Sequence, residues 1–100
     1  MQLKLNRSTM FTVVAPENGM SVQERAERMA SQIERLFEDN LTYNDVRRSN
    51  DKTAVLLKGI TVIRVLPEDA DVMGSAEAAA EKAYNQIMRA LLKEQLDKPF

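Results

Sequence analysis

Glu68, Asp69 and Asp71 place three carboxylates within four positions, in the stretch Glu68-Asp69-Ala70-Asp71. Carboxylates that close could share a hard cation such as Ca²⁺ or Mg²⁺, or split their pKa values for acid–base work. The twelve-residue spacing of a calcium-binding loop is missing, and no motif supplies a partner carboxylate. The stretch therefore reads as a solvated loop ahead of a helix, and no metal ligand set is expected. A second grouping is basic. Arg48, Lys52, Lys58 and Arg64, with Arg47, could form a positive stripe across neighbouring strands, the chemistry that attracts a nucleic-acid backbone. Such a sheet surface usually adds exposed aromatics for base stacking. The aromatics here are Phe11, Phe37, Tyr43, Tyr84 and Phe100, several of them where a core needs them. Arg47 and Arg48 are also adjacent, so a strand turns them to opposite faces. A small nucleic-acid- or ribosome-associated protein using this basic patch is the alternative functional reading.

The absences are sharper than the motifs. The chain has no Cys and no His, which removes disulfides, thiolate nucleophiles, Cys/His zinc sites and an imidazole base. Tyr84 falls on an apolar helical stripe, where a buried ring is the ordinary outcome. Lys58-Gly59 lacks the preceding glycines of a phosphate-binding loop and reads as a turn. Asn6-Arg7-Ser8 and Asn40-Leu41-Thr42 match the glycosylation triplet, a pattern common by chance. The expectation is a protein that is not an enzyme and uses no cofactor.

These residues sit in a chain of 100, with 44% hydrophobic and 29% charged side chains. That mixture belongs to a folded globular unit, and the length suits one domain, 1–100. Fourteen basic and 15 acidic residues leave a formal net charge of −1, which gives no global pull toward nucleic acid or an anionic membrane. No stretch approaches the roughly 20 apolar residues that cross a bilayer, so direct membrane insertion is not expected. The first residues show no export pattern, which read as printed implies a cytoplasmic protein.

The elements that must position the side chains follow from periodicity. Leu3 and Leu5 alternate with polar residues, Asn6-Arg7-Ser8 offers a turn, and Thr9 to Val14 is rich in strand formers. Pro16 and Asn18-Gly19 end that piece. Ser21 followed by Glu24 forms a capping box. Val22, Ala26, Met29, Ala30, Ile33, Leu36 and Phe37 then recur at helical spacing, with Asp39-Asn40 as the end. Glu24 with Arg28, and Arg35 with Asp39, are opposite charges four apart. Tyr43–Arg48, Thr53–Leu57 and Ile60–Leu66 read as strands joined at Asn50-Asp51 and Lys58-Gly59. Pro67–Gly74 reads as a polar loop. Ser75 caps a second helix carrying Ala76, Ala80, Ala83, Tyr84, Ile87 and Leu91 on its stripe, stopped by Pro99.

The expected fold is α+β: a three- to five-stranded, mainly antiparallel sheet with two amphipathic helices packed on one face. The strands are apolar on both faces. If the helices cover one side, Leu56, Ile60, Val62 and Leu66, or their alternates Val55, Leu57, Ile63 and Val65, point the other way. An exposed apolar sheet face marks a partner surface. The expected function is therefore a protein-interaction or regulatory domain, with a protein partner or self-association through Leu56, Ile60, Val62 and Leu66.

The succession "TMFTV", "SVQERAERMASQIERLFED", "TAVLLKGITVIRVLPEDADVMG" and "SAEAAAEKAYNQIMRALLKE" resembles the soluble extramembrane domain of bacterial, notably cyanobacterial, small-conductance mechanosensitive (MscS-like) channel proteins. The matching positions are Phe11 and Val13, Glu24-Arg25-Ala26, Ile33, Val62 to Val65, Asp69-Ala70-Asp71, and Glu81, Tyr84 and Ile87. Val72 and Met73 stand where further polar or small residues are usual. The resemblance implies a regulatory or structural role without catalytic residues, and an extracytoplasmic location if the domain belongs to such a channel.

Overall fold

The computed structural model describes residues 2–5, 8–17 and 19–97. Side-chain burial is described for 11–17 and 19–93. The expected turn at Asn6-Arg7, the Asn18 half of Asn18-Gly19, and the stop at Pro99 lie outside the described residues.

Two strands, β1 (Gln2–Leu5) and β2 (Ser8–Thr12), pair antiparallel as a separate ribbon. Helix α1 (Val22–Glu38) follows with the expected capping box: the Glu24 N–H donates to Ser21 Oγ (3.2 Å) and the Ser21 N–H to Glu24 Oε1 (3.3 Å). Its end is held by Asn40, whose φ of +58° is the left-handed conformation that terminates helices. The Glu24–Arg28 and Arg35–Asp39 pairs do not form: Asp39 turns instead to the Lys58 ammonium, and Arg28 to the Met20 sulfur.

A three-stranded antiparallel meander comes next, β3 (Val46–Arg48), β4 (Ala54–Leu57) and β5 (Ile60–Arg64), in the order β3-β4-β5. Tyr43–Asp45, expected as strand, is a 3₁₀ turn. The Asp45 carboxylate accepts from the Thr42 N–H (3.0 Å), a local bond that competes with extended pairing. The β4–β5 link has φ of +53° at Lys58 and +80° at Gly59, the mirror-image turn geometry that matches strand twist. Pro67–Met73, expected as loop, is a second helix, α2. Pro67 occupies its first turn and the Asp69 carboxylate caps the Leu66 N–H (3.1 Å), so a helix starts without the usual Ser or Thr. Gly74, at φ +102°, breaks it. Ser75 then caps α3 (Ala76–Asp97) through the Ala78 N–H (3.0 Å).

The α+β architecture agrees with the sequence reading, with the strands split into a pair and a triplet. Helix α3 lies across β2, β3 and β4, its Ala79, Ala80 and Ala83 allowing close approach before Ile87 and Leu91 fill the space beyond. Helix α1 seats against β5 and β1. Both feed one core that includes Phe11, Ile33, Val55, Leu57, Ile63 and Ile87.

The surplus of strand apolar residues is absorbed by a bulge. Val55 pairs with Ile63 and Leu56 with Thr61, so Val62 is the extra residue of β5. Adjacent Val62 and Ile63 are consequently both in the core, at 2% and 0% exposure. The uncovered side presents the row Arg47, Leu56, Thr61, with Leu56 only half-buried between two exposed polar residues. Leu57→Ala empties a fully enclosed site and should lower stability by roughly 2–5 kcal/mol in urea unfolding.

Candidate functional site

The most unusual side chain is Arg25. It occupies a position on the apolar stripe of α1, three residues after Val22 and four before Met29, and is 2% exposed. Its Nη2 donates to Asp69 Oδ2 (2.7 Å) and to the Arg64 carbonyl (2.7 Å), and its Nη1 to the Ala15 carbonyl (3.0 Å). Asp69, at 0% exposure, accepts in addition from the Val14 N–H on Oδ1 (2.9 Å) and from Leu66 on Oδ2. Burial pushes the Asp69 carboxyl up, but the Arg25 hydrogen bond and the two backbone donors outweigh it. The carboxyl is held below its ordinary value of 3.8. Asp69 is thus a paired structural group, not part of a solvated acidic loop; Glu68 and Asp71 point outward from α2 and are exposed. Among the described residues no three acidic side chains converge as a metal site.

One donor in this knot is left over. Arg25 Nε is buried and has no hydrogen-bond acceptor; the Glu17 Oε2 carboxylate oxygen lies 3.8 Å from it. Glu17 Oε1 is 3.9 Å from Arg64 Nη1. A buried donor without a partner costs about 1–3 kcal/mol and asks for an explanation.

Arg25 also lines a groove of about 380 Å³ between α1 and β5. One wall is α1, through Arg25, Arg28, Met29 and Gln32 at helical spacing. The other is β5, through Thr61, Val62 and Arg64, while Glu17 and Met20 close one end. Glu17 and Met20 exchange backbone hydrogen bonds (3.1 and 2.8 Å) across a turn that contains Gly19 at φ +79°. Among the described residues β5 pairs with β4 alone, so its outer edge faces the groove unpaired. Ladder alternation turns the backbone groups of Thr61 and Arg64 to that side, and Arg25 takes the Arg64 carbonyl.

The residues expected to form an interaction surface are not brought together. Val62 is core and borders the groove from beneath, Ile60 is 47% exposed beside the turn, and Leu56 and Leu66 are half-buried. The bulge is what turns Val62 inward. The expected basic patch is likewise divided. Arg48 lies on the face toward α3, donating to the carbonyls of Lys52 (3.0 Å) and Glu77 (3.1 Å). Lys58 sits at the opposite end of the meander, held by the Asp39 carbonyl (2.6 Å). Arg64 belongs to the groove. The cations that do converge are Arg25, Arg28 and Arg64. The signal for them was an arginine inside an apolar helical stripe, which the apolar periodicity alone passes over.

Fold and groove together define a small α+β domain with a helix-walled, arginine-lined cleft beside a free sheet edge. By its sequence the chain belongs to the family described as Domain of unknown function (DUF8459), matched over residues 2–94. No curated protein and no solved structure matches it. The family match makes no connection to mechanosensitive channels.

Two measurements follow. Arg25→Met or Asp69→Asn leaves a buried partner uncompensated and should cost about 3–5 kcal/mol in chemical denaturation, whereas pairing Arg25→Met with Asp69→Leu should cost less than either single change. Acid should reveal a second carboxylate. Hydroxyls of Ser49 and Thr53, with the Thr53 N–H, hold the exposed Asp51 carboxyl down at about 2 from 3.8. For Asp51 and Asp69 alike the folded state binds fewer protons than the unfolded chain. Their stabilisation is therefore complete above about pH 4 and drains away as the pH falls through the folded-state values. Thermal unfolding from pH 5 to pH 2 should show this decline, flattened in Asp51→Asn.

Proposed function

We propose that the domain is a protein-interaction module of regulatory kind, taking an extended segment of a partner protein into the groove between α1 and β5. The observation that carries this reading is the outer edge of β5, without a strand partner among the described residues, facing a helix across an open cleft. A sheet edge beside a helix is a recurring arrangement for peptide capture, with backbone pairing supplying grip and flanking pockets supplying specificity. Val62 and Met29 offer an apolar floor, Gln32 and Thr61 polar contacts, and the arginines charge. The bulge at Val62 limits regular pairing to a short stretch. Recognition would therefore rest on side chains more than on a long ladder.

Self-association across the uncovered sheet face has less support, because that face carries Arg47 and Thr61 around a half-buried Leu56. The nucleic-acid reading has less support too, because Arg48 faces α3, Lys58 sits at the far end of the meander and Arg64 lines the groove. If the domain serves beside a channel, as the resemblance implies, the captured segment would belong to that assembly.

Panning a random dodecapeptide phage library on the folded domain tests the reading. Enriched peptides should shift the amide resonances of α1 and β5, and should bind Gln32→Trp, which fills the cleft without changing its charge, about ten-fold more weakly. Failure to enrich any peptide, or equal binding to Gln32→Trp, refutes a peptide site in this groove.

A further inference from the structure

Resting on that reading, we infer that the groove selects a segment bearing a carboxylate side chain, and that Glu17 is an internal stand-in for it. Three features converge. Arg25 is buried, yet its Nε finds no hydrogen-bond acceptor, so the site is built with a donor to spare. The Glu17 carboxylate hovers between Arg25 and Arg64 at 3.8 and 3.9 Å, near enough to offset their charge and too far to accept a hydrogen bond from either. Arg28, on the same wall, has no ion-pair partner among the described residues; its only side-chain contact of that kind is the Met20 sulfur at 3.8 Å.

Asp69 already balances one of the three cations of the groove, and Glu17 is shared between two at long range. That leaves room for one more negative charge. The carboxylate of an incoming Asp or Glu would displace Glu17, accept from Arg25 and Arg64 at hydrogen-bond distance, and draw Arg28 across. Glu17 lies in the Glu17–Met20 turn, outside the core cluster, and its carboxylate makes only the two long ion pairs, so rotation of its side chain alone would clear the position.

The same features favour a peptide over a polynucleotide. The cleft is small, its floor is Met29 and Val62 with no aromatic ring for stacking, and a net charge of −1 gives a polyanion no general attraction. A carboxylate already occupies the position. The reading is of a self-masked acidic-peptide site: Glu17 holds the place of the incoming carboxylate and yields to a better-placed acid.

The test uses the capped pentapeptide Thr-Val-Glu-Val-Thr, its glutamine counterpart, and a twelve-nucleotide RNA, each titrated into the whole domain. The readouts are backbone amide shifts and the Arg25 Nε–H resonance. The glutamate peptide should bind and move the Arg25 Nε–H signal; the glutamine peptide should bind at least about ten-fold more weakly. Glu17→Gln should tighten the glutamate peptide about three- to ten-fold and leave the glutamine peptide unchanged, while Arg28→Gln should weaken the glutamate peptide by a similar factor. The inference is overturned if the two peptides bind alike or neither binds, or if Glu17→Gln fails to tighten the acidic one. It is also overturned if RNA binds the groove more tightly than the glutamate peptide. Library peptides that lie in the groove without an acidic residue would sink the carboxylate preference and leave the peptide site standing.

Discussion

One buried ion pair organises this molecule. Arg25 and Asp69 are 44 residues apart, yet between them they tie the chain after β2, the first turns of α1, the last residue of β5 and the entry to α2. Two charges taken out of water are expensive, and their mutual attraction offsets the cost only when the remaining donors and acceptors are also satisfied. Here both Asp69 oxygens are used, and Arg25 reaches two carbonyls besides. Such an arrangement contributes less to net stability than its bond count suggests. What it fixes is geometry: any other docking of α1 or α2 strands a charge in the core.

How far the fold was legible follows from which forces were local. The capping box at Ser21 and Glu24, the stripe of α1, the Ser75 cap and the Lys58-Gly59 turn are set by neighbours in sequence, and their positions could be read there. Helix α2 could not, because its start uses Pro67 and the Asp69 carboxylate in place of a capping hydroxyl. In the sequence that carboxylate reads as solvated acid, because only the fold sets Arg25 beside it. The outward apolar face could not be judged either. Strict alternation would have put Val62 opposite Ile63, and a single extra residue in β5 brought both inside. The arginine cluster was the least visible feature. Its members lie on two elements 36 or more residues apart, and only the fold makes Arg64 a neighbour of Arg25 and Arg28.

Arg25 belongs at once to the interior knot and to the wall of the groove, and this shared membership would link structure to the proposed recognition. Its two Nη atoms are committed to the core, whereas its Nε faces the side where Glu17 hovers. A ligand that satisfies the Nε acts on a residue that also positions Asp69, α2 and the end of β2. Occupancy of the cleft would thus be felt as added rigidity in segments that the ligand never touches, the form of coupling expected when one side chain is common to two networks.

The separation of the strands into a ribbon and a meander carries a mechanical implication. Among the described residues the two sheets share no ladder, and the Asp69 carboxylate spans the seam by gripping Val14 with one oxygen and Leu66 with the other. A tension that parts these sheets would meet no row of bonds to unzip sequentially. It would meet the Arg25–Asp69 knot, in which Arg25 also joins the Ala15 and Arg64 carbonyls, beside the packing of α3 across both sheets, and that knot slackens once Asp69 is protonated.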